Sequence, residues 1–463
     1  MNALRLLDLF SGAILIALLV LVILAEWFGV RGTAPYSAGL CLALLALFTP
    51  RVPFSRQVFV AFGLILAFVA WLSDPLWLDR TVAALRSAAF IAAFLTALTA
   101  LRNVAETSES IRQCGRFLAR QRPGRRYLAL TFGGHLFALL LSYGSMVLLG
   151  HIVKEHVRKD ENPEIAFHRT KRMLLAIQRG FVSTLPWSPL ALAVAISTTI
   201  VPGSSWSGAV PACLVSAVIL FGTGWALDTI FKPRISGPLP PSDYPEGGWS
   251  AVLPLLVLLA VLGFLVVSIS MATEIRAVAV VLVVVPAVSI GWAILQNANR
   301  GVSTETLGGH VSRFLTADLP GFRAEFVLIM MAGFIGSLGS VLLRPLMSSL
   351  GLDLHAIPGQ LILVAVLWLI PLAGQIGMNP IMSVSIMAPL IPPAAEIGVD
   401  PNAIIVAIAS GWALAGASSP FTATTVFIGA MGGVSASRVG LDWNGPYTII
   451  CGILLSLWIV ILT

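Results

Sequence analysis

Long apolar runs recur from one end of the chain to the other, and they constrain the fold more than any other feature. A helix needs roughly 20 predominantly apolar residues to cross a bilayer. Only 11% of the 463 residues are charged, whereas soluble domains contain about 25%. The sequence therefore predicts an all-α polytopic membrane protein, with spans near residues 9–30, 57–73, 82–101, 127–153, 208–231, 250–271, 274–297, 323–347, 402–431 and 446–463.

The polar segments between these runs are short. A further run at 37–50 brings the expected number of transmembrane helices to about 10–11. None of the loops is large enough for a soluble domain. The net charge of +7 comes from Lys and Arg that cluster in the loops, which is the positive-inside bias of membrane proteins. We therefore expect an integral multi-pass protein of a bacterial inner membrane, with no nucleic-acid partner.

Two apolar stretches are interrupted near their middle by helix-breaking residues. The stretch at about 361–395 contains GQIGMNP from Gly374 to Pro380, and the stretch at about 173–201 contains STLPWSP from Ser183 to Pro189. Irregular backbone at membrane depth occurs only where it is buried in protein or lines a watered cavity. The lengths of these two stretches favour two re-entrant hairpins. Two long spans kinked at proline are the alternative.

The sequence also contains an apparent internal repeat. RFLARQRPGRR at 116–126 matches RFLTADLPGFR at 313–323, and SYGSMVLL at 142 matches SLGSVLL at 337. Further along, Pro189 matches Pro380, and GWAL occurs at 224 and 411. Such repeats are typical of secondary transporters, whose substrate sites lie where discontinuous helices of the two halves meet. We expect an inverted repeat, although four crossings between the two RFL segments would make the halves parallel. One element is therefore misassigned in this scheme.

On this basis the chain divides into three parts. N-terminal transmembrane helices occupy 1–80. Repeat 1 occupies 82–271, with a hairpin at about 173–201 and a broken helix at 208–231. Repeat 2 occupies 274–463, with a hairpin at about 361–395 and a broken helix at 402–431.

Two segments of the second half resemble a known group of proteins. The ion transporter superfamily has a hairpin tip that is similar to GMNPIMSVSIMAPLIPP. Its following broken helix is similar to AIASGWALAGASSPFTATTVFIG. That superfamily includes the divalent anion/sodium symporters and the large membrane subunit of the tripartite ATP-independent periplasmic transporters. The resemblance implies an elevator-type carrier of small anionic metabolites. The chain departs from the symporters' paired Ser-Asn-Thr, since Asn379 is followed by Pro380.

The breaks contain hydroxyls, amides and free backbone groups. Helix N-termini suit carboxylates or sulfonates, and hydroxyl and carbonyl oxygens suit a sodium ion. The same hydroxyls often serve only in helix packing. The candidate substrate ligands are Ser183, Thr184, Ser188, Thr223, Gln375, Asn379, Ser418, Ser419, Thr422, Thr424 and Thr425, with sodium possible at Asn379, Ser418 and Thr422.

Few ionisable residues lie within the apolar runs. His135 is a candidate proton relay, with a hydrogen-bonded structural histidine as the alternative. Trp187 either stacks on a ligand or wedges its turn. The four cysteines have no metal-ligand or disulfide spacing, so we expect no metal site of that kind and no cofactor beyond a coupling sodium ion.

These features predict a cation-coupled secondary active transporter, a symporter of a small organic anion that works by an elevator mechanism. The alternative is a membrane subunit that needs a binding protein or small membrane partner, and a homodimer is also open. A membrane-embedded enzyme ranks below both, because the sequence has no Walker loop, no HExxH and no nucleophile elbow. We therefore predict a non-enzyme that handles a small anionic solute within a lipid bilayer.

Overall fold

The computed structural model describes residues 3–122, 124–157, 162–232, 248–299, 307–349 and 357–463. The predicted loops at 154–172, 232–249 and 298–322 lie partly outside these ranges. Twenty α-helices occupy the described residues. They are α1 Ala3–Phe28, α2 Ala34–Phe48, α3 Phe54–Ser73, α4 Trp77–Glu106, α5 Glu109–Ala119, α6 Arg126–Leu141, α7 Gly144–Val157, α8 Pro163–Val182, α9 Leu192–Ile200, α10 Trp206–Ile230, α11 Leu253–Thr273, α12 Ala277–Asn299, α13 Leu307–Arg313, α14 Leu319–Gly321, α15 Arg323–Ser349, α16 Gly359–Gln375, α17 Pro380–Met387, α18 Pro401–Ser418, α19 Ala423–Gly432 and α20 Gly445–Leu462.

The protein is an all-α polytopic membrane protein. In the described ranges, nine helical segments are long and apolar enough to cross a bilayer, with the α18–α19 segment taken as one. The apolar helices α6, α16 and α17 are shorter than a crossing helix. These short helices are where the chain departs from simple up-and-down spans.

The run predicted as one span at 127–153 is two antiparallel helices, so that prediction is wrong. The chain turns at Ser142, which has a φ of 48°, and the Ser145 side chain donates to the Ser142 carbonyl at 2.7 Å. A side chain added at Gly115 of α5 would contact both Phe137 of α6 and Leu149 of α7. Residues on either side of the turn therefore lie at the same level, and α6 and α7 form a helical hairpin.

The stretch at 173–201 does not turn back, so a hairpin was the wrong prediction there. The continuous helix α10 begins five residues after α9 ends, and near its other end Asp228 forms an ion pair with Arg172 of α8 at 2.7 Å. Trp206 and Asp228 are roughly 33 Å apart along a helix that rises 1.5 Å per residue. The chain therefore enters α8 at one end of α10 and leaves α9 at the other, as one broken helix.

The predicted break in 208–231 is absent, because α10 continues through Gly222, Thr223 and Gly224. Glycine alone is tolerated in a packed membrane helix. The only proline of α10, Pro211, lies in its second turn. The corresponding cluster in the second half contains Pro420, which cannot continue a helix, and there the chain does break.

In the second half, α16 and α17 form a helical hairpin, and α18 and α19 form a broken helix. α16 ends at Gln375, the chain turns at Gly377 with a φ of 98°, and α17 begins at Pro380. The start of α16 is in close contact with the backbone of Ile397, just before α18, so this segment returns to the end where it began. The helix that follows is interrupted between Ser418 and Ala423.

Both halves therefore contain a helical hairpin followed by a broken helix, namely α6–α7 with α8–α9 and α16–α17 with α18–α19. The first hairpin opens toward the Asp228 end of α10. The second opens toward the start of α18, where Asn402 accepts a hydrogen bond from the Ser205 backbone N–H next to the start of α10, at 2.9 Å. The hairpins thus open toward opposite ends of the molecule, which is the arrangement of an inverted repeat.

The sequence alignment paired the wrong elements. It matched Pro189, in the break of α8–α9, with Pro380, in the second hairpin, and it matched the turn at Ser142 with a point inside the unbroken helix α15. The RFL segments precede a hairpin in one case and an unbroken helix in the other. This is the misassignment that made the crossing count even.

Candidate functional site

The tip of the second hairpin packs directly against the break between α18 and α19. The Gln375 amide donates to the Ser418 hydroxyl at 3.3 Å, and the Ser419 hydroxyl donates to the Gly374 carbonyl at 2.6 Å. Gly374 fits closely here, since an added side chain would lie 2.9 Å from Ser419 Cβ. Three of the predicted residues, Gln375, Ser418 and Ser419, therefore come together across two elements.

Three threonines complete a cluster of oxygens around the Ser419 carbonyl. The hydroxyls of Thr422 and Thr425 both donate to it, at 2.9 and 2.6 Å. Thr422 also contacts the Thr424 hydroxyl at 2.9 Å, and Thr424 donates to the Gly416 carbonyl. All of these side chains are buried. Hydroxyl and carbonyl oxygens without a charged group are a donor set that fits a sodium ion.

The predicted residues of the first half lie in the break between α8 and α9, and their side chains are used locally. Ser183 donates to the Gly180 carbonyl and Thr184 to the Phe181 carbonyl, both at 2.7 Å. The Ser188 hydroxyl accepts from the Leu190 backbone N–H at 3.2 Å. This break reaches the second half mainly through apolar packing of Val182 and Leu185 against Gly416.

His135 of α6 lies against this first break. Its Nδ1 is 2.7 Å from the Ser183 hydroxyl, and its ring stacks on Trp187 with the centroids 5.7 Å apart. The Trp187 backbone carbonyl accepts from the Trp206 indole at 2.8 Å, which connects the break to the start of α10. The buried indole N–H of Trp187 has no hydrogen-bond partner among the described residues.

Two predicted ligands lie apart from this assembly. Asn379 caps α17, and its side-chain oxygen accepts from the Ile381 backbone N–H at 2.9 Å. Thr223 lies in the unbroken helix α10 and contacts the Cys451 side chain of α20. No hydrogen bond between described residues joins either side chain to the Ser419 cluster.

Sequence reasoning missed the residues that connect the two halves. Gln178 of α8 donates to the carbonyls of Gly416 and Ala417 at 3.3 and 3.4 Å, and it accepts from the Asn444 amide at 3.0 Å. Its neighbour Arg179 is also buried, with 5% of its surface exposed. The sequence did contain a signal for Arg179, because an arginine inside an apolar run is a functional candidate by default.

The fold is shared with solved structures of two transport proteins, although no protein-family model and no curated protein matches the chain. The Alcanivorax borkumensis YdaH transporter is 17% identical, with a TM-score of 0.64, over 88% of this chain and 99% of that one. Neisseria gonorrhoeae MtrF, described as illuminating a class of antimetabolite efflux pumps, is 15% identical, with a TM-score of 0.59, over 89% of this chain and 96% of that one.

At these identities the likeness establishes the fold over nearly the whole chain. Both similar structures belong to membrane transport proteins, which agrees with the general prediction of a carrier. Membership of the ion transporter superfamily stays a prediction.

Proposed function

We propose that this protein is a secondary active transporter of a small organic anion, a carboxylate or a sulfonate. The observation that carries the proposal is the meeting of a hairpin tip with a broken helix around a buried set of polar groups. Irregular backbone at membrane depth suits a solute site. The N-termini of the half-helices α9 and α19 present backbone N–H groups, which favour an anion. The shared fold with YdaH and MtrF supports transport as the general activity.

The proposal includes sodium coupling at the oxygen cluster of Ser419, Thr422, Thr424 and Thr425. Sodium is favoured over a proton because the cluster offers several oxygens and no titratable group. A proton carried by His135 is the second candidate, supported by its contact with Ser183. In the elevator mechanism that we propose, both hairpins re-enter the bilayer and move with the broken helices as one body.

Transport into proteoliposomes tests the proposal. Purified protein would first be screened for thermal stabilisation by carboxylates and sulfonates, with and without sodium. Uptake of the best stabilising solute would then be measured with an inward sodium gradient, with equal sodium on both sides, and with a proton uncoupler. We expect uptake that needs the sodium gradient and survives the uncoupler. Sodium-independent uptake that the uncoupler abolishes would indicate proton coupling, with His135 as the candidate residue. The absence of uptake for every anion tested would refute the proposed function.

A further inference from the structure

Arg179 is a buried cation in the arm that leads to the first break. Its guanidinium donates to the side-chain oxygens of Asn444 and Tyr127, both at 3.1 Å. It also donates to the backbone carbonyls of Trp443 at 3.3 Å and Gly224 at 3.5 Å. The fit is close, since a side chain added at Gly224 would lie 3.1 Å from Arg179 Cδ.

All of these partners are neutral. The aromatic ring of Tyr447 lies 4.6 Å from the guanidinium carbon and adds attraction without a negative charge. Asp228, on the neighbouring turn of α10, is already bound by both arms of the Arg172 guanidinium at 2.7 Å. Among the described residues, Arg179 has no carboxylate partner within ion-pair distance. Arg179 is therefore a buried positive charge that no carboxylate among the described residues neutralises directly.

Burying an uncompensated charge costs folding free energy, so helix packing alone does not explain why Arg179 is present. Removing an ion from water carries a large desolvation penalty, and neutral or apolar side chains of similar size often replace buried ions without loss of stability. Ionisable groups at membrane depth are therefore usually functional. A mobile counter-ion that visits the neighbouring site would explain why the charge is present.

The charge lies close to both parts of the candidate site. Arg179 is one helical turn before Ser183, whose backbone N–H donates to the Arg179 carbonyl at 3.2 Å. The adjacent Gln178 donates to Gly416 and Ala417, which directly precede Ser418. Because Arg179 is buried away from bulk water, its charge is weakly screened and acts on a nearby bound solute without touching it.

We propose that Arg179 is the specificity-determining residue that makes the site prefer an anion over a neutral solute of the same shape. It does so through its fixed charge, while Asn444, Tyr127 and the two carbonyls hold it in place. This inference rests on the proposed function, because it concerns the same site.

The test compares two anions with a neutral amide that has the shape of the carboxylate, on purified full-length protein. Dissociation constants would be measured by calorimetry for propanesulfonate, propanoate and neutral propanamide. For the unaltered protein we expect the two anions to bind more tightly than the amide. In Arg179→Gln we expect the anions to lose about tenfold or more in affinity while the amide changes little, since removing a weakly screened unit charge near a bound anion has an effect of that order.

Three variants separate charge from shape. Arg179→Lys keeps the charge and should keep the preference for anions. Asn444→Asp places a carboxylate on the Arg179 Nε, so it should abolish the preference although the arginine is still present. Tyr127→Phe removes one hydrogen bond of the guanidinium and leaves its charge, so the ratio of anion to amide affinity should be unchanged even where the melting temperature falls.

The outcomes separate this inference from the proposed function. Unchanged anion preference in Arg179→Gln would overturn the role of Arg179 while leaving an anion transporter. If Arg179→Gln does not fold, the same preference retained in Asn444→Asp overturns it. A loss of preference in Tyr127→Phe as large as in Arg179→Gln would also overturn it, because shape would then be the cause. If the unaltered protein binds the amide as well as the anions, the anionic substrate class fails, and the inference fails with it.

Discussion

The two broken helices have the same architecture but different chemistry. In α8–α9 the Ser183 and Thr184 hydroxyls donate to carbonyls three residues earlier, and Ser183 also contacts His135 of α6. The same arm contains the charge of Arg179. In α18–α19 the hydroxyls gather around shared carbonyls and contact a second element, the hairpin tip. In the site that we propose, the first half thus provides a closed, positively charged wall, and the second half provides the oxygen ligands.

Exposure distinguishes the tip of the second hairpin from both breaks. The hydroxyls of both breaks are buried, whereas Ile376 at the tip is 80% exposed and its neighbour Gln375 is half-buried. An exposed tip has fewer packed neighbours to hold it than a buried segment. We therefore expect the second hairpin to open and the first broken helix to stay rigid.

The largest effect is expected from Gly180→Ala, which tests whether the first broken helix, α8–α9, is rigidly packed. An added methyl group would overlap the Thr131 carbonyl oxygen and approach the His135 backbone nitrogen at 2.9 Å. Because neither backbone can yield easily, we expect a loss of about 3 kcal/mol or more in folding free energy. The measurement is the monodisperse yield and melting temperature in detergent. Gly222→Ala is the control, since nothing lies within 4 Å of its added methyl group. Equal melting of both variants would show that α6 and α8 are not closely packed.

The next effect compares the hydroxyls of the two breaks. The double variant Thr422→Val with Thr425→Val removes two oxygens from the shared cluster, so we expect sodium-driven uptake to fall about 100-fold. The matched change Thr184→Val removes a hydroxyl that bonds only to Phe181, and uptake should change only a few-fold. Reversal of this order would place the ion or solute at the first break.

Cysteine labelling tests the difference in exposure. We expect Ile376→Cys to react with a maleimide at least about tenfold faster than Ser188→Cys, because only an accessible thiolate reacts. The four native cysteines are all buried and free, so the unaltered protein serves as the background control. Added substrate should slow labelling at position 376. Equal rates at the two positions would contradict an open second tip.

The smallest effect is expected from Gly377→Ala in the exposed turn. No atom lies within 4 Å of the added methyl group, but the residue has a φ of 98°, which side chains disfavour. The expected loss is about 1 kcal/mol in folding free energy, read as a small fall in melting temperature. Gly39→Ala, which has open space and ordinary φ, is the control. A fall as large as that of Gly180→Ala would mean that the tip is packed rather than open.

The elements of the second half were predictable because proline and glycine mark them together. Pro380 and Pro420 follow polar residues in the middle of apolar stretches. Pro380 is the first residue of α17, and Pro420 lies just after the end of α18. The residues near these breaks, Gln375 and the Ser418–Thr425 cluster, follow from the same signal. Their mutual contacts could not be predicted, since they depend on where α16 meets α18.

The first half was misassigned for a physical reason. A proline-rich break looks the same in sequence whether the chain then returns or continues, and Pro186 and Pro189 lie in a break that continues. The actual turn at Ser142 contains no proline, and its φ of 48° is held by hydrogen bonds and packing. The alignment of the two halves followed the prolines and therefore matched a break with a hairpin tip.

Apolar run length and low charge determined by themselves that this is a helical membrane protein, because a bilayer leaves no alternative for such runs. Proline-containing breaks also marked the interruptions at 183–189, 374–380 and 418–423, but not the turn at Ser142. Only the tertiary structure decided the direction that the chain takes after each interruption, since that depends on contacts such as Arg172 with Asp228 between residues far apart in sequence. The same contacts decided that the buried charge of Arg179 lies between the two halves.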